Sequence, residues 1–355
     1  MYRGEAAILK LSWTPTNRLP ESAVYDALQR ANVENTPEVF DMGILDVDAF
    51  GYRIEYLIIW NCGVSLVDYL KPQKHDQSAL CDSIELLTRQ VVKCLLQVWR
   101  AGIMHRDISS GNVVVRDGKA TVIDWGYAKL IDCDSCDVDR LAAKWMFEKV
   151  KVMVNEDAHN SITGTPLFMS IPILVRAAKR SVVDDVESAF YVVLGALSAI
   201  QNAPRGFKPV AMDFKDNRNL AFVRIRCFSN AHMYLETFGV REYTGKLREL
   251  LDALYRYLFV RGGKYIGAYL AMVPDYDRSV EEQELSGILS GVKQSEKKPT
   301  ASGSRTVRAA APLRRSARLI QSSRGGDSQA STHSGGSDIP VSAIPLPTSK
   351  RKRTK

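Results

Sequence analysis

The stretch from His105 to Gly126 reads HRDISSGNVVVRDGKATVIDWG. A polar loop of His105, Arg106 and Asp107 comes first, Asn112 follows five positions after Asp107, and Asp124 closes a second apolar run. Between them, Val113 to Arg116 and Ala120 to Ile123 are short runs rich in β-branched residues. They are separated by Asp117, Gly118 and Lys119, the composition of a tight hairpin. Closing that hairpin brings the loop before it and the loop after it to the same end, so Asp107, Asn112 and Asp124 converge. One carboxylate and one amide oxygen at a shared point suit Mg²⁺, a hard cation that takes few protein oxygens and keeps its other positions for water or phosphate. Asp107 is then left to accept a proton from an alcohol.

Composition bounds what surrounds the hairpin. The chain has 355 residues and a net charge of +8, enough for one two-lobed unit or two domains. The charge is unevenly spread. Lys293 to Lys355 hold 14 Lys and Arg against 3 acidic residues, a balance of +11, while the preceding 292 residues hold 34 basic and 37 acidic side chains, a net −3. The basic character belongs to the tail, and the rest gives no electrostatic argument for nucleic-acid binding. No window approaches the length of a spanning apolar helix, and MYRGEAAILK lacks the order of a signal peptide. An intracellular protein, cytoplasmic or nuclear and not a membrane protein, is expected. The six cysteines are scattered, and the lone pair Cys133 and Cys136 has no second pair or nearby histidine to complete a zinc site.

Periodicity places the remaining elements. Ala6 to Trp13 reads as a strand carrying one charge, Lys10, and Pro20 to Arg30 as a helix opening with Glu21. Pro37 to Ile44 and Tyr52 to Ile59 are two further strands, the second apolar enough to be central. Trp60 to Gly63 break the pattern before a short helix, Ser65 to Leu70. Asp82 to Ala101 carries Ile84, Leu87, Val91, Leu95 and Val98 three or four apart and ends at Gly102, so it predicts a buried helix. Val138 to Val154 is helical in character, and Thr244 to Val260 has a sustained apolar stripe. Beyond about residue 286, Gly, Ser, Pro and basic residues dominate and a disordered tail is expected.

Three motifs in order carry a family resemblance: HRDISSGN at His105 to Asn112, Gly164 to Met169 (GTPLFM), and DDVESAFYVVL at Asp184 to Leu194. Together with the Asp124–Trp125–Gly126 triplet they resemble the protein-kinase superfamily, and within it the fungal-type protein kinases, over roughly residues 5 to 275. The resemblance implies an α+β, two-lobed kinase-like fold. Residues 1–60 would form a partial N-lobe of few antiparallel strands plus one helix, residues 61–285 a mainly helical C-lobe, and residues 286–355 the disordered basic tail.

It also implies roles and cofactors. Asp107 would be the catalytic base, Asn112 and Asp124 the Mg²⁺ ligands, and Arg106 the residue that meets the activation segment. Lys10 would hold the phosphates of ATP and be fixed by Glu21. Asp185 would brace the catalytic-loop backbone, and Ser161, Thr163 and Thr165 are phosphosite candidates facing Arg106. Read without the resemblance, Lys10 is equally an edge-strand lysine and Glu21 a first-turn acid at a helix dipole. Departures from the wider kinase pattern are Trp125 for phenylalanine, Ser109 where most Ser/Thr kinases carry lysine although the fungal-type family favours serine, and Ile171–Pro172 in place of a Pro–Glu pair. Only nine residues, with the single glycine Gly4, precede Lys10, too few for a strand pair and a Gly-rich phosphate lid.

Three functions follow from the resemblance. An ATP- and Mg²⁺-dependent protein kinase would transfer the γ-phosphate to Ser or Thr hydroxyls of a protein substrate. A pseudokinase scaffold would keep the fold without the lid. A small-molecule kinase of the aminoglycoside or choline type is the third, since G-N-V followed by I-D-W also occurs in that branch. Lys350, Arg351, Lys352 and Arg353 suit a nuclear import receptor, and Arg314, Arg315 and Arg318 form a second basic arm. Nucleic acid is expected at most as a weak partner of this tail.

Overall fold

The structure is a computed structural model that describes residues 1–16, 18–47, 51–130, 163–174, 182–200, 217–238, 240, 243–261, 264–265 and 278–291. The expected helix from Val138 to Val154, the Cys133 and Cys136 pair, Ser161, and the tail with Arg314, Arg315, Arg318, Lys350, Arg351, Lys352 and Arg353 lie outside these residues. Residues 1–296 form one unit and residues 297–355 a second, and every described residue belongs to the first.

Strand β1 (Ala7–Pro15) pairs antiparallel with β3 (Tyr52–Trp60), which pairs antiparallel with β2 (Val39–Val47), so β3 is central as its composition predicts. Lys10 lies opposite Leu57. Alternation along β3 buries Arg53, Glu55, Leu57 and Ile59 on one face. Helix α1 (Glu21–Arg30) buries Val24, Tyr25, Ala27 and Leu28, and Pro20 occupies its N-cap instead of its first turn.

After β3 the chain turns through Asn61, Cys62 and Gly63. Gly63 has φ +106, and a Cβ there would stand 2.0 Å from the Val115 carbonyl oxygen, so only glycine fits. Strand β4 (Val64–Ser65) and helix α2 (Leu66–Leu70) follow, with the Ser65 hydroxyl accepting the Asp68 amide as an N-cap. Strand β4 pairs with β6 (Val113–Arg116), and β6 with β7 (Lys119–Val122). The β6–β7 turn has two residues, Asp117 at φ 51 and Gly118 at φ 73. Two positive φ values make this the turn whose twist matches the strands, and Lys119 joins β7 instead of lengthening the loop.

Helix α3 (Gln77–Arg100) starts five residues before the expected Asp82, because Asp76 supplies an N-cap to the Ala79 amide at 3.0 Å. The predicted apolar stripe of α3 is buried. Strand β5 (Ile103–Met104) pairs with β8 (Lys129–Leu130) and leads into the His105 loop. The rest is mainly helical: α4 (Ile171–Leu174), α5 (Val182–Ile200), α6 (Asn217–Phe228), α7 (Ala231–Thr237), α8 (Gly245–Phe259), a short β9–β10 pair (Val260–Arg261, Lys264–Tyr265) and α9 (Arg278–Ser290).

Helix α5 is buried along almost its whole length and packs on α3, while Phe190, Phe228, Tyr234 and Phe259 form an aromatic cluster around it. Helix α9 continues past residue 286, where sequence periodicity fades, because Arg89 on α3 donates to the Ile288 and Leu289 carbonyls at 2.9 and 2.8 Å. A cation on the last carbonyls of a helix satisfies them and matches the helix dipole. Among the described residues no helix is long and apolar enough to cross a membrane, and Cys62, Cys81, Cys94 and Cys227 are free thiols.

Candidate active site

The loop after β5 takes an unusual path, with Arg106 at φ 72. Asp185, in the first turn of α5, holds it there: its carboxylate accepts the His105 amide at 2.8 Å and the Arg106 amide at 3.0 Å. Two buried N–H groups that a strand or helix would have paired are thereby satisfied. The His105 ring has Nε2 3.0 Å from the Ile123 carbonyl oxygen, and its Nδ1 accepts the Asp107 amide at 3.2 Å. That pattern requires the neutral tautomer protonated on Nε2. Burial lowers the His105 pKa to about 4.

The unfolded chain, with an ordinary histidine value near 6.5, takes up the proton first. The stabilisation is therefore complete above pH 6.5 and is lost as pH falls towards 4, by on the order of 3 kcal/mol. Urea unfolding at pH 7 and pH 4.5 is expected to show this loss in the wild type and to show it reduced in His105→Gln.

The hairpin delivers its side chains as its spacing predicts. Ile123 N donates to Asn112 O at 3.0 Å, which sets the two ends of the hairpin side by side. Asn112 Nδ2 donates to the Asp107 carbonyl oxygen at 2.8 Å, and Oδ1 accepts from no partner among the described residues. Asp124 has φ 65 and a side chain 44% exposed. An amide oxygen and a half-exposed carboxylate on neighbouring backbone are hard donors, and they fit Mg²⁺. Asp107 Oδ1 accepts both the amide (2.8 Å) and the hydroxyl (2.9 Å) of Thr165, whereas Oδ2 has no protein partner among the described residues. The Thr165 hydroxyl is thus engaged with Asp107, and Thr163 is buried, so neither is an open phosphosite in this arrangement.

Lys10 and Glu21, eleven residues apart, form the ion pair that the sequence leaves as one of two readings. Lys10 Nζ lies 2.8 Å from Glu21 Oε2 and 2.7 Å from Asp124 Oδ1. Glu21 Oε1 accepts the Trp125 amide at 3.0 Å. Burial alone would lower the Lys10 pKa, but Glu21 and Asp124 outweigh it and raise it above the ordinary lysine value. Burial raises Glu21 above the ordinary carboxyl value, with Lys10 opposing. Trp125, in place of phenylalanine, is buried against His105 with ring centroids 4.4 Å apart.

Arg106 is buried, and its carbonyl oxygen is the atom that Gly164 approaches. A Cβ at Gly164, which has φ +115, would stand 2.7 Å from it.

Three residues beyond the sequence-derived set support the Gly164 to Met169 run. The sequence offers no glutamate at Ile171–Pro172, and the structure supplies the tie differently. Glu187 Oε1 accepts the Ile171 amide at 2.7 Å, and the buried Arg224 guanidinium donates to the Met169 and Leu167 carbonyls. Asp184 holds the residue after the run, its Oδ1 accepting the Ser170 hydroxyl at 2.6 Å. Burial raises Glu187 to about 7, against bonds from Tyr191 and Ile171. Asn35 also escapes sequence reasoning. Its Nδ2 donates to the Ala120 carbonyl oxygen at 2.7 Å, and its own carbonyl accepts the Val122 amide at 2.8 Å, fastening the loop after α1 to β7.

Residues 71–196 match the family model described as fungal protein kinase. Human mitogen-activated protein kinase 12 is 29% identical over 108 residues, which is 30% of this chain and 28% of that protein. The chain therefore spans less than a third of that relative's length. These likenesses support placement of the chain in the protein-kinase-like superfamily.

Proposed function

We propose that the chain is a two-lobed, ATP- and Mg²⁺-dependent protein kinase that phosphorylates Ser or Thr hydroxyls. The observation that carries this reading is the meeting of Lys10, Glu21 and Asp124 within 2.8 Å contacts, beside an Asp107 with one carboxylate oxygen open. Residues far apart in sequence converge there, as phosphate and metal binding would require.

Lys10, fixed by Glu21, would hold phosphate oxygens. Asn112 Oδ1 and Asp124 would hold Mg²⁺, which when bound neutralises charge developing on the phosphates. Asp107 Oδ2 would accept the proton of the substrate hydroxyl as its oxygen bonds to the γ-phosphorus and the bond to the bridging oxygen breaks, releasing ADP. Thr165, by engaging Oδ1, would orient the carboxylate and leave Oδ2 for the incoming alcohol. The run from Gly164 to Met169, held by Asp184, Glu187 and Arg224, would form the platform for a peptide segment, which favours a protein substrate over a small molecule.

The test measures γ-phosphate transfer to a mixed protein substrate in the wild type and in Asp124→Asn. Turnover in the variant is expected to fall by at least about 100-fold, because a ligand of the charge-neutralising cation is lost. Equal activity in both would sink the assignment. A wild type that binds nucleotide but transfers nothing would make the chain a scaffold with a kinase-like fold.

A further inference from the structure

We infer that the buried Arg53–Glu55 pair positions Glu21, and through it the contacts of Glu21 with Lys10 and Trp125; the inference rests on the reading of Lys10 as the phosphate-binding lysine. Arg53 and Glu55 share the inward face of β3 with Leu57 and Ile59, and their side chains are 5% and 3% exposed. Two charges on that face are expensive to desolvate. Replacing such a pair by apolar side chains of similar size is often neutral or stabilising, so stability alone gives no reason for it.

Its contacts do give one. The Glu55 carboxylate receives the Arg53 guanidinium on Oε1 and the Glu21 backbone amide on Oε2 at 2.9 Å. The other two guanidinium nitrogens of Arg53 donate to the Thr16 carbonyl oxygen at 3.2 Å and the Arg18 carbonyl oxygen at 2.6 Å. The pair therefore grips both the β1–α1 connection and the first residue of α1.

That residue needs an external hold. Glu21 opens the helix, and its N-cap, Pro20, has no N–H and makes no side-chain cap. The amides of Ala23 and Val24 turn back to the Pro20 carbonyl at 3.1 and 3.3 Å, which leaves the Glu21 amide for Glu55. A first helical residue frays unless capped, and a carboxylate at a helix N-terminus also meets the favourable end of the dipole. Most helices carry their cap on the preceding residue. Here it comes from a strand 34 residues later, the strand that pairs with the Lys10 strand. One buried carboxylate thus fixes Glu21 relative to the sheet that carries Lys10.

The continuous chain of contacts runs from Arg53 to Glu55, to Glu21, and on to Lys10 and the Trp125 amide. Arg53 and Glu55 touch no reacting group, so they are positioning residues.

The test compares wild type with the double variant Arg53→Met/Glu55→Leu, with Glu55→Gln and with Glu21→Ala. It uses three readouts: urea unfolding, hydrogen exchange of the Trp125 amide, and ATP binding measured without turnover. The double variant is expected to unfold at or above the wild-type urea midpoint. Its Trp125 amide is expected to exchange about tenfold faster, as in Glu21→Ala, and its ATP affinity to fall about tenfold, the loss that follows when one charged hydrogen bond is displaced. Glu55→Gln offers one acceptor oxygen to two donors, the Arg53 guanidinium and the Glu21 amide, and is expected to speed Trp125 exchange several-fold.

A folded double variant with unchanged Trp125 exchange and unchanged ATP affinity overturns the inference. Should the double variant not fold, Glu55→Gln decides, and Trp125 exchange unchanged from wild type overturns the inference. A wild type that binds no ATP removes the nucleotide reading, and Trp125 exchange alone still judges the positioning role.

Discussion

Asparagine at position 107 is expected to lower the rate of phosphoryl transfer by about 10²- to 10⁴-fold while leaving the fold intact. The separation of the two effects comes from the two oxygens of one carboxylate. Oδ1 accepts the Thr165 amide and hydroxyl, and the oxygen of an asparagine side chain can keep that double contact. Oδ2 is the open oxygen, and its replacement by an NH₂ group removes the proton acceptor without disturbing the loop. The urea midpoint and the KM for ATP should stay near wild type, and kcat should carry the loss. Turnover within a few-fold of wild type would remove Asp107 from the role of base.

Alanine at position 63 is expected to destabilise the protein by at least about 3 kcal/mol, the range reached when positive-φ strain and a backbone clash coincide. Gly63 has φ +106, and the added methyl would lie 2.0 Å from the Val115 carbonyl oxygen, which belongs to a strand and cannot step aside. Gly245 supplies the control. It has φ +65 with nothing within 4 Å of a built Cβ, so Gly245→Ala pays conformational strain alone, roughly 1 kcal/mol. Urea unfolding of the two variants separates clash from strain. Similar losses at both positions would show that β4 and β6 yield at the turn.

Legibility in the sequence followed the range of each interaction. The hairpin is readable because strand period and an Asp-Gly turn are local signals, and the convergence of Asn112 and Asp124 is a geometric consequence of them. Lys10 and Glu21 are readable only as an ordered pair, since each alone has an ordinary surface explanation. Arg224 gives no local sign. It stands in a helix with exposed Arg226 nearby, and it acts on main-chain carbonyls 55 to 58 residues away, which leave no mark on residue identity. Asn35 is hidden for the same reason, as its partners are backbone atoms of β7. Arg53 and Glu55 are a different case. Two charges spaced two apart on the inward phase of an apolar strand are a visible anomaly, and strand alternation alone marks them as buried and in need of partners.

The two attachments of α1 have a mechanical consequence. Its first residue is bonded to β3 through Glu55, and the loop after its last turn is bonded to β7 through Asn35. The helix is therefore a brace spanning two sheets that are otherwise joined along the chain by the turn at Asn61 to Gly63. A rotation about that turn cannot leave both ends of the brace in place. Releasing the Asn35 end means parting its two hydrogen bonds to β7, roughly 1 kcal/mol each, and the weaker Cys94 thiol contact to its carbonyl at 3.8 Å, so the unbraced form would be held to a few per cent of molecules or less. With the brace seated, Glu21 keeps its distance to the Trp125 amide.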